Sequence, residues 1–318
     1  MTIKEIAKLA GVSTATVSRI INNSGKVKEE TRIKVQSIIN QHNYHPNQVA
    51  RTLFKKKSNI IGIIVPDLSN MFYSKIIEGI QQIIDSTDYS LMISFSAGAD
   101  DKKYIDFIQK FQQENVDGII TSAFNGQYAN KIKTPFVMYD SANIEDDIIR
   151  IASDNRSGGK LISGLLNRNV KKVLIQHIDL SLPTVGERFN SLITELNKRD
   201  ITYNLVSVDG LSRKKASQKV LENIENFDAV ISVNDEYAAD IIKEAKFKGY
   251  RIPDNFQLVG YDNTNLAQYT NPTITTIDQQ AFEIGKAAAR RLLDRIDGNK
   301  NTENTIIPVK ALKNESTL

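Results

Sequence analysis

The chain predicts an all-α helix-turn-helix head (residues 1–46), a hinge helix and linker (47–57), and an α/β body (58–318) of two doubly wound parallel-sheet lobes. Three observations carry this: helix-turn-helix spacing near the N-terminus, a split of charge between head and body, and a change of hydrophobic pattern at Asn59.

The head rests on IKEIAKLAGVSTATVSRIIN, residues 3–22. Ala7 lets two helices approach, Gly11 permits the tight turn between them, and Val17 packs the second helix onto the first. Ile6 and Leu9, with Ile20 and Ile21, supply the apolar faces, and Ser13 stands where an N-cap belongs. The outer face of the second helix then carries Thr14, Ala15, Thr16, Ser18 and Arg19, ending at Asn22. Short polar groups and one guanidinium suit a helix lying in a major groove. A third helix is predicted from Glu30 to Asn43, with Ile33, Val35, Ile38 and Ile39 in the small core and Lys28 as a poor cap. Pro46 forces His45 out of helix.

Charge says the same independently. Residues 1–57 hold 11 Lys or Arg against 3 Glu, leaving 30 basic and 34 acidic residues in the other 261. A basic head on a mildly acidic body implies a polyanion met through the head alone. Between them, NQVARTLF (47–54) spans two helical turns and is followed by Lys55, Lys56 and Lys57. So short a helix is marginal in water and is expected to order against a partner.

From Asn59, apolar runs alternate with amphipathic stretches. The runs cover 60–65, 90–95, 117–122, 135–140, 172–177, 203–208, 228–233 and 256–261, with a further short strand near 149–152. Continuous apolar runs suit strands covered on both faces. Segments 72–86, 101–114, 156–168, 183–199, 211–225, 234–248 and 278–296 read as the covering helices. Two sets of four strands are expected, with a ligand cleft at the strands' carboxyl ends.

Polar groups gather at those ends: Asn70 with Phe72 and Tyr73, Asp140 with Ser141, Asp154, Asn234 with Asp235, and Asp262 with Asn263. Arg188, on a predicted helix, joins them. Each alone reads as a helix cap or turn residue, since Asp, Asn and Ser routinely follow strands. Together, carboxylates and amides beside aromatic rings match sugar hydroxyls and the apolar faces of sugar rings.

Composition removes other classes. With no cysteine, structural disulfides, zinc–thiolate sites and thiol catalysis are excluded. No apolar run approaches the ~18 residues of a membrane span, and the N-terminus lacks a signal peptide's apolar core, so a cytoplasmic protein with no membrane contact is expected. The three histidines, His42, His45 and His177, form no metal-ligand pattern. SGGKLISG around Gly159 and Lys160 lacks the first glycine of a phosphate loop and has Leu161 where magnesium needs Ser or Thr. No catalytic residue, cofactor or metal is expected, and an enzyme is disfavoured.

Taken together, the head, NYHPNQVARTL, IIGIIVPDLSNMFY, SDNRSGG (153–159), VNDEYA (233–238) and LVGYDNTNLAQYTNPTITTI (258–277) resemble, in order, the landmarks of the LacI family of bacterial transcription regulators. Within that family the chain looks most like sucrose- and ribose-operon repressors of low-GC Gram-positive bacteria. The resemblance implies a periplasmic-binding-protein-like body and a homodimer on a pseudo-palindromic operator in duplex DNA. It also implies a sugar or sugar phosphate bound between the lobes. Carried over, Ser13, Thr14, Ala15, Thr16, Ser18, Arg19 and Asn22 contact DNA through the recognition helix, as do Asn47, Val49 and Ala50 in the hinge. Leu53 is the apolar wedge that opens a central base step. Asn70, Phe72, Tyr73, Asp140, Arg188, Asn234 and Asp262 fall at effector positions. Ser141 stands where many sugar-responsive members have arginine, which turns the expectation from ribose toward sucrose. Met71 and Gln280 each replace a frequent proline, and Ser191 a frequent glycine. The alternative within the family is a global catabolite regulator whose corepressor is a phosphorylated carrier protein. A sugar-binding role without DNA is disfavoured by the basic head.

Overall fold

Local chemistry sets the head. Helix α1 (Ile3–Ala10) starts in a capping box that the sequence reading missed: the Glu5 N–H donates to Thr2 Oγ1 while the Thr2 N–H donates to the Glu5 carboxylate. It ends at Gly11, whose φ of 70° suits a residue without Cβ. Helix α2 (Thr14–Ile21) follows, its first turn tied by the Thr16 N–H donating to Ser13 Oγ at 3.1 Å. Helix α3 (Glu29–Gln41) has no side-chain cap at Lys28, and Glu29 and Glu30 in its first turn oppose the helix dipole's positive end instead.

The head's core is Ile6, Ala7, Ala10, Val17, Ile20 and Val35, with Ile21, Ile38 and Ile39 packed partly against it. Leu9 and Ile33 were expected in it and are not: they are 52% and 62% exposed. Leu9 is off the Ile3–Ile6–Ala7–Ala10 stripe, and Ile33 lies two residues from Val35, on the opposite side of a 3.6-residue helix.

The computed structural model describes residues 1–21, 23–44, 57–96, 101–122, 129, 132–141, 148–299 and 303–318. They form two units, Met1–Ser58 and Asn59–Leu318. Asn22 and the hinge positions Asn47, Val49, Ala50 and Leu53 lie outside the described residues.

In the body, strands β1 (Ile60–Val65), β2 (Ser90–Phe95), β3 (Gly118–Ser122), β4 (Phe136–Tyr139) and β5 (Arg150–Ser153) build the first lobe. Strands β6 (Lys172–His177), β7 (Thr202–Ser207), β8 (Ala229–Ile231) and β9 (Gln257–Val259) build the second. The continuous burial of β1, β3, β4 and β5 is what sheets covered on both faces require.

Two equal sets of four strands are not what forms. The first sheet has six strands, β11-β5-β4-β3-β1-β2, the second four, β7-β6-β8-β9, and β10 (Thr276–Asp278) pairs antiparallel with β12 (Lys310–Leu312). Strand β11 (Thr305–Ile307) lies parallel to β5, so the chain returns to the first lobe near its C-terminus and then leaves again. Unlike β8 and β9, which lie inside six-residue runs, the three-residue strands β10, β11 and β12 sit among polar residues and carry too little hydrophobic periodicity to be seen in sequence. The final segment is likewise held: Ser316 and Thr317 are buried, and the Thr275 N–H donates to Ser316 Oγ at 2.8 Å.

Helices cover both faces. Helix α4 (Met71–Ile84), α5 (Asp101–Gln113) and α11 (Ala281–Ile296) belong to the first lobe. Helices α6 (Asn155–Leu165), α7 (Pro183–Lys198), α8 (Arg213–Glu222), α9 (Asp235–Phe247) and α10 (Asn265–Tyr269) belong to the second. No described helix is long and apolar enough to cross a membrane. The pairing of α6 with α7 depends on a close approach, because a Cβ on Gly159 would collide with the backbone carbonyl of Arg188. In an exposed helix Gly→Ala stabilises by about 1 kcal/mol. Here the overlap reverses the sign, and Gly159→Ala lowers stability by about 1–3 kcal/mol, measurable as a lowered denaturant midpoint.

Candidate functional site

On α2 the side chains sort by exposure. Thr14, Ala15 and Arg19 are exposed and Thr16 and Ser18 half-buried, with the Ser13 and Thr16 hydroxyls 2.9 Å apart. Ser13 and Thr16 therefore serve the helix start, while Thr14, Ala15 and Arg19 are presented outward. The stem of Arg19 passes over Gly25, where any Cβ would touch its Cδ.

In the body, the predicted polar residues divide into caps and cleft groups. Asn70 caps α4, accepting from the Phe72 N–H at 2.9 Å. Asn234 caps α9, accepting from the Tyr237 N–H at 3.1 Å, and Asp154 caps α6. Phe72 is buried in the first lobe's core, edge-to-face with Tyr73 at 5.3 Å between centroids, and also lines a cavity of 490 Å³ that reaches Asp262. These backbone duties leave Asn70 and Asn234 only their amide N–H groups to offer a ligand.

Asp140, Arg188, Asp262 and Tyr73 come together electrostatically. Burial pushes the Asp140 carboxyl upward against the pull of the Arg188 guanidinium. Burial, then the neighbouring Asp235 carboxylate, raises Asp262 well above the usual range, against Arg188 and the hydrogen bond that Gln279 Nε2 donates at 2.6 Å. Burial, with the Asp140, Asp262 and Asp67 carboxylates nearby, raises the Tyr73 phenol. The Arg188 guanidinium lies over the Tyr261 ring, 3.9 Å from its centroid, which fixes the fork while leaving N–H groups to donate.

Residues 2–47 match the lacI family of bacterial regulatory proteins, and residues 185–317 a periplasmic-binding-protein-like domain. The ribose operon repressor of Bacillus subtilis is 31% identical over 99% of this chain and 98% of its own. The sucrose operon repressor of Streptococcus mutans is 32% identical over 98% of both. The chain belongs to the LacI family. In three dimensions, a ribose operon repressor from Lactobacillus acidophilus superposes with a TM-score of 0.79 at 52% identity, over 82% of this chain and 99% of that one. The protein is thus a DNA-binding regulator with the family's helical head and two-lobed body.

Two departures from the LacI-family pattern acquire a structural meaning. Met71, unlike proline, has an N–H, and it donates across the lobes to Glu236 Oε1 at 3.3 Å. Glu236 is held in turn by Arg213 at 3.0 Å. Gln280 has a φ of 54°, which a proline ring forbids, and its amide donates to the Pro308 carbonyl, tying two of the crossings between lobes.

Sequence reasoning passed over Asp235 except as a strand-end neighbour of Asn234. It is fully buried, accepting from the Thr264 N–H at 2.7 Å and from Thr276 Oγ1 at 2.6 Å. That grip holds the turn where Asp262 (φ 102°) and Asn263 (φ 53°) are both left-handed, a conformation costly for residues other than glycine. Its signal was an acid directly after an apolar strand in VNDEYA, indistinguishable from an ordinary first-turn carboxylate. Burial lifts the Asp235 carboxyl from 3.8 to about 7. A folded-state value above the unfolded one means the native protein holds the proton more tightly, so stability falls as pH rises from about 4 to about 7. Asp235→Asn should flatten that slope in melts across this range relative to the parent protein.

Proposed function

We propose that this protein is a transcriptional repressor of a carbohydrate-utilisation operon. It binds a pseudo-palindromic operator as a homodimer, and a small sugar or sugar phosphate between the two lobes controls it. The observation that carries this is one chain joining an exposed Thr14–Ala15–Arg19 face in a basic head to a body in which the Arg188 guanidinium acts on the buried Asp140 and Asp262 carboxyls. Arg19 supplies a donor fork for a guanine edge, and Leu53 of the hinge a wedge for a central base step. Arg188 donates to sugar hydroxyls that in turn donate to Asp140 and Asp262. Likeness to both ribose and sucrose operon repressors leaves two sugars to compare, and 52% identity over 82% of the chain makes ribose the first to try.

The control is linkage. A ligand that changes how the lobes sit, and so how two subunits meet, loosens or tightens operator binding, and DNA affects ligand binding by the same factor. Dimer formation is supported by β2, the exposed edge of the six-stranded sheet, where Ile93 and Phe95 are 43% and 53% exposed.

Operator binding followed by fluorescence anisotropy with and without sugar tests the reading. Asp262→Ala should abolish the sugar response and leave operator affinity intact, whereas Leu53→Ala should weaken operator binding and leave calorimetric sugar affinity unchanged. Full sugar affinity in Asp262→Ala removes that residue from the site. Phe95→Lys should shift sedimentation from dimer toward monomer and weaken operator binding with it. An unchanged sedimentation coefficient places the interface elsewhere.

A further inference from the structure

We infer that the cleft selects an uncharged sugar and rejects its phosphate ester. The inference rests on the sugar-sensing reading and narrows it. Its warrant is the charge inventory where the strands end. The described connections that leave β1, β4, β5, β6, β7, β8 and β9 are residues 66–70, 140–141, 154, 178–182, 208–212, 232–234 and 260–264. They carry six aspartates (Asp67, Asp140, Asp154, Asp179, Asp209 and Asp262) and no lysine or arginine. The first helical turn after β8 adds Asp235 and Glu236.

Of the nearby cations, Arg213, Lys75, Arg156 and Lys160 act on acids close to them, while Lys214 and Lys215 follow Arg213 in the first helical turn after β7. Arg213 is shared between Glu236 at 3.0 Å and Asp240 at 3.4 Å. Lys75, on the cavity that reaches Asp262, pairs with Glu78 at 2.8 Å. Arg156 and Lys160 act on Asp154. Arg188 acts electrostatically on both Asp140 and Asp262, one cation shared between two acids. Beyond burial, the groups that raise the Tyr73 phenol are the Asp140 carboxyl, the Tyr104 phenol and the Asp262 and Asp67 carboxyls, none of them a cation.

Donor chemistry points the same way as charge. A carboxylate only accepts hydrogen bonds, so it needs donors from the ligand. A sugar hydroxyl donates to the carboxylate and accepts from the guanidinium. A phosphate dianion has no proton to give at neutral pH, so an ionised Asp140 or Asp262 would face it without a donor and repelled, and admitting it would require these carboxyls to take up protons that a sugar hydroxyl supplies without any such uptake. At about 4 Å and an effective dielectric near 20, one like-charge contact opposes binding by several kcal/mol before screening.

Titration calorimetry on the full-length protein, with D-ribose against D-ribose 5-phosphate and sucrose against sucrose 6-phosphate, decides it. The uncharged member of the responding pair should bind on the order of 100-fold tighter. An ester that binds as tightly as its parent sugar, or more tightly, overturns the inference and leaves sugar sensing standing. If no member of either pair binds or alters operator affinity, the sugar reading fails and takes this inference with it. Asp140→Asn supplies the second arm, because asparagine tolerates the left-handed backbone at φ 48°. It should narrow the sugar-to-ester ratio about tenfold. Equal weakening of both ligands, with the ratio unchanged, would mean Asp140 only contacts a hydroxyl and would overturn the charge filter.

Discussion

The buried carboxylate of Asp235 is the contact on which the cleft's geometry depends. It lies beneath the turn after β9, accepting from the Thr264 N–H and the Thr276 hydroxyl, and it comes so close to Gly260 that a Cβ there would strike it. Two successive non-glycine residues with positive φ do not persist unless their surroundings over-determine them. With that turn held, Asp262 is presented next to Gln279 and within the field of Arg188 and Asp140. Removing one partner from such a network costs the desolvation of every donor left behind, which is why a buried acid of this kind is structural and electrostatic at once.

The same segment joins the lobes. Between Ser153 and Asn155, between Asp278 and Ala281, and between Ile307 and Lys310 the chain passes from one lobe to the other. Ser153 Oγ donates to the Gln279 carbonyl at 3.0 Å, and the neighbouring amide of Gln279 holds Asp262. Asp262 is thereby bonded through Gln279 directly to two of the crossings. The Met71–Glu236 contact adds a bridge whose carboxylate Arg213 also holds. Relative movement of the lobes has few places to originate, and each of them is tied by these polar groups.

In the head the division of labour is simpler. Ser13 and Thr16 spend their hydroxyls on the helix start, so fewer side chains of α2 are free to act outward than its full list of polar residues suggests. Thr14, Ala15 and Arg19 project from a helix whose other face is fixed by Val17 and Ile20. Rigid presentation of a few groups, with the remainder holding the scaffold, is the arrangement base readout needs.

Much of this was legible in the residues themselves. Helix-turn-helix spacing, strand-length apolar runs and caps such as Ser13 and Asp154 are local effects, set by neighbours within a few positions, and the LacI-family landmarks follow in order along the chain. What local pattern could not decide was whatever depends on distant segments meeting. Leu9 and Ile33 lie outside the core because the faces the helices bury are those of Ile6, Ala7 and Ala10 and of Val35, a choice made only when the helices meet. Strand β11, three residues long, becomes the sixth strand only because β5 offers it an open edge. Asn70 and Asn234, which taken singly read as caps and taken together as cleft groups, do cap helices, while Asp140 and Asp262 are drawn into one electrostatic group with Arg188. That grouping comes from burial and from Arg188 acting on both carboxyls, and those are properties of the folded body, not of any stretch of sequence.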